Sequence, residues 1–384
     1  MSSVASRRDE LALSAAGLCL IGACYGLARF AYGLFVPAFR DEFALGAAAA
    51  GTIAAGGYVV YCVAILASST LAPRLGGRAV AVAAGTLATA GTLTVALAPS
   101  APVLVLGVLL GGASTGVVSP ALAHAVAHTV ARERQARTQT VINAGTGVGV
   151  AVAGPIALLT QQEWRTAWLA FALLSALATL GAALGVPHGE RRGAGRDPLL
   201  PRPLFPTGSV RLTVAAALTG VASAAVWTFG RDLLVRDGDL GEQASTIAWI
   251  LLGAFGVLGA AAGDLTERFG LRGAWTATAL ILAGATAAVA AWPGSLVAAC
   301  LALAAFGAAY IAASGLLLLW GTRVHPRSPA AGVGWGFLVL ALGQAVGAAA
   351  LGAVADASST RLAFAVAAAL GVAAAAVRPR ELAT

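Results

Sequence analysis

Residues 244–272 repeat residues 50–78, and this internal duplication limits the possible folds more than any other feature of the chain. Adding 194 to each position carries Ala50, Thr52 and Ile53 onto Ala244, Thr246 and Ile247, and Arg74, Gly76 and Arg78 onto Arg268, Gly270 and Arg272. Both copies read as a long apolar helix that ends in a tight turn. Glycine supplies a positive φ there at little cost, and arginines stand beside the next apolar helix. The same offset carries Gly149 onto Gly343. A chain of 384 residues built this way is two related halves.

Lipid has to be the solvent of such a chain. With 59% hydrophobic and 10% charged residues, it has more apolar surface than a soluble domain could bury. Several stretches reach the roughly 20 apolar residues that cross a hydrocarbon core. Only helices and closed barrels satisfy their backbone in lipid, and no ten-residue alternating strands occur, so the reading is helical throughout. The expected helices span residues 11–39, 52–71, 79–97, 103–130, 138–159, a sixth ending near 186, then 212–234, 244–262, 273–290, 296–318, 332–354 and 362–377. Pro99 and Pro102 break the third from the fourth, and Ser119-Pro120 is expected to kink the fourth. Residues 188–211, with five arginines and the prolines Pro198, Pro201, Pro203 and Pro206, read as a semi-flexible linker. The domains are therefore residues 1–187, the linker 188–211, and residues 212–384.

A formal charge of +8 would suggest nucleic acid in a soluble protein, but the position of each charge decides otherwise. All 24 basic residues are arginine. With the N-terminus inside, only Arg40, Arg165, Arg236 and Arg361 fall outside, and Arg29 and Arg231 lie within spans. The other arginines fall on the cytoplasmic side, which is the positive-inside pattern of a multi-pass protein of the plasma membrane with both termini cytoplasmic. No basic patch with interleaved aromatics points to nucleic acid. Ser6-Arg7-Arg8 ahead of an apolar run looks like an export signal, but Asp9-Glu10 follow and no small-residue cleavage site ends the run. The absence of lysine removes P-loop hydrolysis and Schiff-base chemistry. Cys19, Cys24, Cys62 and Cys300 fall inside spans, at spacings of no metal site or disulfide framework, and read as packing.

The second-copy turn, Gly263-Asp264-Leu265-Thr266-Glu267-Arg268-Phe269-Gly270-Leu271-Arg272, resembles the loop motif of the major facilitator superfamily, with Glu267 in place of its aspartate. In the first copy Ser69 replaces the first glycine and Pro73 the acid. Gly154-Pro155 also resembles the superfamily's fifth-helix signature, without the glycines that usually follow it. The resemblance covers nearly the whole chain and implies an all-α membrane protein of twelve transmembrane helices in two pseudo-symmetric six-helix bundles. Such bundles rock about a central site. It also implies a cytoplasmic gate at Arg74, Arg78, Asp264, Glu267, Arg268 and Arg272, weakened at Pro73. The superfamily's fourth-helix arginine, associated with proton-coupled drug export, falls near Gly107 here and is missing.

Arg29 is the sharpest single clue. It lies about 6 Å past the centre of the first helix. A charge at that depth costs about 2.5–3.5 kcal/mol on insertion scales and should face a cavity or a partner. Tyr25 and Tyr32, at i−4 and i+3, share its helical face. Two readings stand: a cationic, aromatic-flanked subsite for an anionic or polar solute, or a clamp on backbone carbonyls of a broken helix. Arg29-Phe30-Ala31-Tyr32 is also similar to a bacterial branch of the superfamily that defines no substrate.

Ser223, Trp227 and Arg231 repeat every four residues along the seventh helix, with Asp232 adjoining. Were Asp232 to face Arg29, proton binding could switch the pair; its depth, about twenty residues past Arg211, favours an ion pair or outer gate instead. Asn143, Thr146, Tyr310, Ser314, Trp335 and Gln344 could line a cavity or serve as interhelical hydrogen bonds. His124 and His128 have i, i+4 metal spacing without a third ligand, so no metal is expected. The expectation is a secondary transporter of a small polar or anionic organic solute, proton coupled and monomeric, with lipid around it and no cofactor. A hydrophobic-compound exporter is the alternative. A transporter-like sensor or membrane enzyme is remote, since no catalytic constellation is present.

Overall fold

The computed structural model describes residues 7–160, 163–187, 206–326 and 328–379. Most of the 188–211 connection, and with it the reading as a semi-flexible linker, lies outside the described residues. The described chain is helical. It runs α1 (Arg7–Glu42), α2 (Ala47–Leu75), α3 (Gly77–Ala96), α4 (Ala101–Thr129), α5 (Arg132–Leu159), α6 (Trp164–Gly185), α7 (Ser209–Arg236), α8 (Glu242–Gly259), α9 (Ala262–Ala291), α10 (Leu296–Val324), α11 (Pro329–Ala357) and α12 (Thr360–Ala376). Eleven of these are long and apolar enough to cross a bilayer, and α12, of 17 residues, is shorter.

Several ends differ from the sequence reading for identifiable reasons. Helix α2 begins five residues early because the Asp356 carboxylate takes the backbone N–H groups of Ala47 and Ala48 at 2.7 and 2.8 Å, capping that end from a distant helix. Helix α4 runs through Pro120 to Thr129, within a residue of its expected end. The turn expected over residues 263–272 is almost wholly helical, so that Asp264, Glu267 and Arg268 stand on a helix rather than in a loop. The chain reverses at one residue, Gly270, with φ 67 and ψ 161. Its counterpart Gly76 has φ 88 and ψ 147 between α2 and α3. A side chain at either position would be strained, so the duplicated glycine is a backbone requirement at both sites.

By internal contacts the chain forms two compact units. One is Met1–Tyr32 with Val59–Asp197, and the other is Gly33–Tyr58 with Pro198–Thr384. This division departs from the sequence halves at Gly33–Tyr58, which hydrogen-bonds and packs with α7 and α11. In the first unit, Leu13, Leu20, Ala84, Val118, Leu122, Ile142 and Ala182 form a continuous apolar core. In the second, Leu212, Trp275, Leu316, Trp320 and Leu340 do the same, and the Trp275 Nε1–H donates to the Ala374 carbonyl at 3.1 Å.

The duplication is visible in the packing. A Cβ on Gly26 of α1 would lie 2.3 Å from the Gly149 backbone of α5, and one on Gly149 would lie 2.2 Å from the Gly22 carbonyl oxygen. At the offset positions, a Cβ on Gly220 of α7 would lie 2.2 Å from the Leu340 oxygen, and one on Gly343 of α11 would lie 2.4 Å from the Ala217 oxygen. Glycines thus bring two backbones together, as in other membrane helix pairs, between α1 and α5 in one unit and between α7 and α11 in the other. All four cysteines are free thiols on α1, α2 and α10.

Candidate functional site

In α1 the stretch Gly22–Phe30 is π-helical, a widening that the sequence does not announce. Such turns recur at functional sites because they re-aim side chains. Arg29, half-buried, lies at the end of this stretch. Its guanidinium carbon sits 4.5 Å from the ring centre of Tyr61, 5.2 Å from Phe30 and 5.7 Å from Tyr25. Three ring faces around one cation stabilise the charge without neutralising it. The Tyr25 and Ser119 hydroxyls are hydrogen-bonded at 2.9 Å, tying the π segment to α4 beside Pro120. Of the residues expected beside Arg29, the structure brings Tyr25. Tyr32 is buried beyond the π stretch, and Asn143, exposed on α5, takes a hydrogen bond from Gln139 at 3.4 Å. Tyr61 was missed, because a tyrosine inside an apolar helix gives no sign of which neighbour its ring will cover.

The second unit holds an aromatic cluster. Trp227 of α7 packs edge-on against Tyr310 at 5.2 Å, Phe306 at 5.9 Å and Trp249 at 6.1 Å between ring centres. Gln344 of α11 donates to the Tyr310 hydroxyl at 3.1 Å, so the cluster carries a buried polar handle. A Cβ on Gly33 would fall 2.0 Å from the Trp227 carbonyl oxygen and 2.9 Å from the Trp249 ring, so the backbone of α1 packs directly on the α7 backbone and the Trp249 ring. Trp227 and Tyr310 therefore come together as expected, with Gln344. Trp335 does not join them. Its indole donates to Thr213 at 2.9 Å, near the start of α7, about 21 Å in helical rise from Trp227.

Towards the C-terminal end of α7, Arg231 and Asp232 are both only 1% exposed. Arg231 donates to the Leu34 carbonyl at 2.5 Å, to Ser245 Oγ at 3.2 Å and to the Glu242 carbonyl at 3.4 Å, and pairs with the Glu242 carboxylate. Asp232 accepts from Arg40 and, at 3.0 Å, from Arg236, which also pairs with Asp41. Asp232 is thus held by arginines of α1 and α7 in an ion-pair lattice. Both side chains are buried because residues of α1 and α8 pack over them near the end of α7.

Arg74 is exposed in the last turn of α2 and Arg78 half-buried in the first turn of α3. Asp264, Glu267, Arg268 and Arg272 are exposed along α9, and the Arg268 guanidinium lies 5.4 Å from the Phe269 ring centre. His124 and His128 stack at 4.1 Å on α4, with His128 Nδ1 2.8 Å from the His124 carbonyl oxygen.

A family profile described as Major Facilitator Superfamily matches residues 18–337. No curated protein matches the chain. Among solved structures, the nucleoside transporter NupG aligns with a TM-score of 0.77 at 15% identity, over 96% of this chain and 97% of its own. A bacterial homologue of the human lysosomal transporter Spinster, in its inward-facing and unoccupied conformation, aligns with a TM-score of 0.75 at 17% identity, over 97% of this chain and 95% of its own. At these identities the likeness is one of fold.

Proposed function

The chain belongs to the major facilitator superfamily, and from that premise, a multi-pass membrane transporter rather than an enzyme, we propose that it is a secondary transporter of a small polar or anionic organic solute. The solute crosses by alternating access, with protons as the coupling ion. The observation that carries this reading is Arg29: a half-buried guanidinium in a membrane span, held among the rings of Tyr25, Phe30 and Tyr61. A charge at that depth is expensive, and its default reading is a solute or ion pathway. Trp227 and Tyr310 join Arg29 in the proposed set of solute-contacting residues and supply faces for a planar group. Arg231 and Asp232 serve as outer gate, with Asp232 as the buried carboxylate available to coupling. Arg74, Arg78, Asp264, Glu267, Arg268 and Arg272 serve as cytoplasmic gate. The arginine asymmetry supports a plasma-membrane topology with both termini cytoplasmic, and the protein acts as a monomer.

The test starts from a thermal-stabilisation screen of anionic, neutral polar and hydrophobic solutes, since a ligand that binds only the folded protein raises its apparent stability. Solutes that stabilise are then assayed by counterflow in proteoliposomes. Arg29→Ala is expected to lower counterflow of an anionic solute at least tenfold while the protein still inserts. Equal counterflow by the variant removes the anion subsite. The aromatic cluster around Trp227 favours one second reading, a hydrophobic-compound exporter. Stabilisation by hydrophobic compounds alone, lost in Trp227→Ala and untouched in Arg29→Ala, would establish it.

A further inference from the structure

The second unit contains a cavity of about 920 Å³ at the end that carries the arginine-rich turn of α9. Arg272, Arg323 and Arg378 line it, brought from α9, the end of α10 and the residues just after α12. Among the described residues that line it there is no acidic side chain. Like charges gathered in one concavity repel one another, and their field attracts and holds an anion. The backbone adds to that field, because Leu271 and Gly273 lie in the first helical turn after the break at Gly270, where N–H dipoles favour negative charge. The rest of the wall is apolar. Trp320 is buried in it, whereas Phe269 and Leu280 are 57% and 47% exposed. Leu280 lies about 12 Å beyond Arg272 along the helix, towards the apolar middle of the span.

We propose that this cavity binds the phosphate headgroup of an anionic phospholipid, with an acyl chain laid along Thr276 and Leu280. The shared chemistry with free phosphate is the anion; the exposed Leu280 and Phe269 select the lipid, because they offer surface that only a hydrocarbon chain covers. The site stands apart from the transported solute and does not depend on its identity.

The test uses the full-length protein in detergent and reads thermal unfolding against added phosphatidylglycerol, phosphatidylcholine or inorganic phosphate. Phosphatidylglycerol is expected to raise the unfolding temperature, while the other two do not at equal concentration. Arg378→Gln, and Arg323→Gln combined with Arg378→Gln, should weaken the phosphatidylglycerol response at least tenfold in concentration. The corresponding lysine replacements keep the charge and should retain most of it. Each comparison is made within one variant, so a lower starting stability does not disturb it. Identical phosphatidylglycerol titrations for wild type and the Arg378→Gln protein overturn the site. Inorganic phosphate protecting as well as phosphatidylglycerol overturns the lipid.

Discussion

At Asp232 two arginines converge on one buried carboxylate, and the arrangement makes a quantitative demand. Removing one partner of a buried ion pair costs about 3–5 kcal/mol, because the remaining charges keep their desolvation penalty and lose their attraction. Asp232→Asn is therefore expected to destabilise the detergent-solubilised protein by an amount in that range. Combining it with Arg40→Gln should recover about 1–3 kcal/mol of the sum of the two single effects, as residues in one network do not act additively. Simple additivity, measured by denaturant unfolding, rules out the lattice as a coupled unit. Arg231 makes a related point through its shape. Its planar fork reaches the Leu34 carbonyl, Ser245 and Glu242 at once, and a lysine offers a single charged centre in its place. Arg231→Lys should accordingly lower the unfolding temperature although the charge is kept.

Element by element, the helices are placed by the spacing of small residues more than by their hydrophobicity, which is nearly uniform around each one. Helices α1 and α5 touch through Gly26 and Gly149, and α7 and α11 through Gly220 and Gly343. Gly149→Val and Gly343→Val each force two backbones apart, and both are expected to abolish the monodisperse peak in size-exclusion chromatography. Gly284→Ala is the contrast, since no atom stands within 4 Å of a Cβ there. It should be tolerated and stabilise the helix by up to about 1 kcal/mol. A folded Gly149→Val protein would remove the close-approach account of α5. The duplicated turn obeys the same logic. Gly76 and Gly270 are required by φ of 88 and 67, and no apolar side chain can replace them without strain.

For the whole molecule, the informative fact is that Gly33–Tyr58 belongs with Pro198–Thr384. A fragment of residues 198–384 lacks Arg40, the partner of Asp232, and lacks the helix end that Asp356 caps. Expressed alone, it should be degraded or aggregate, and co-expression with residues 1–197 should restore a folded, protease-resistant protein. A stable, monodisperse 198–384 fragment would show that the segment Gly33–Tyr58 contributes nothing to the second unit.

Much of the fold was legible in the residues. Apolar runs of membrane-spanning length, their separation by arginine and proline, and the repeat at Gly76 and Gly270 each follow from local chemistry that a string of letters displays. Arg29 was legible for the same reason, as one charge inside an apolar run. Its surroundings were not. The π turn leaves no trace where nearly every position is apolar, because a change of helical period is visible only against a polar background. Tyr61, Trp249 and Phe306 looked like any aromatic packing residue. Asp356 over Ala47 and Arg40 over Asp232 join positions separated by 309 and 192 residues, and nothing local distinguishes those acids from others at helix ends. The sequence by itself determined that the chain spans a membrane in two related halves, since solvent and backbone satisfaction are decided residue by residue. Only the tertiary structure decided which charges meet and which rings enclose them, since a pairing energy depends on distances of a few ångströms that sequence separation does not contain.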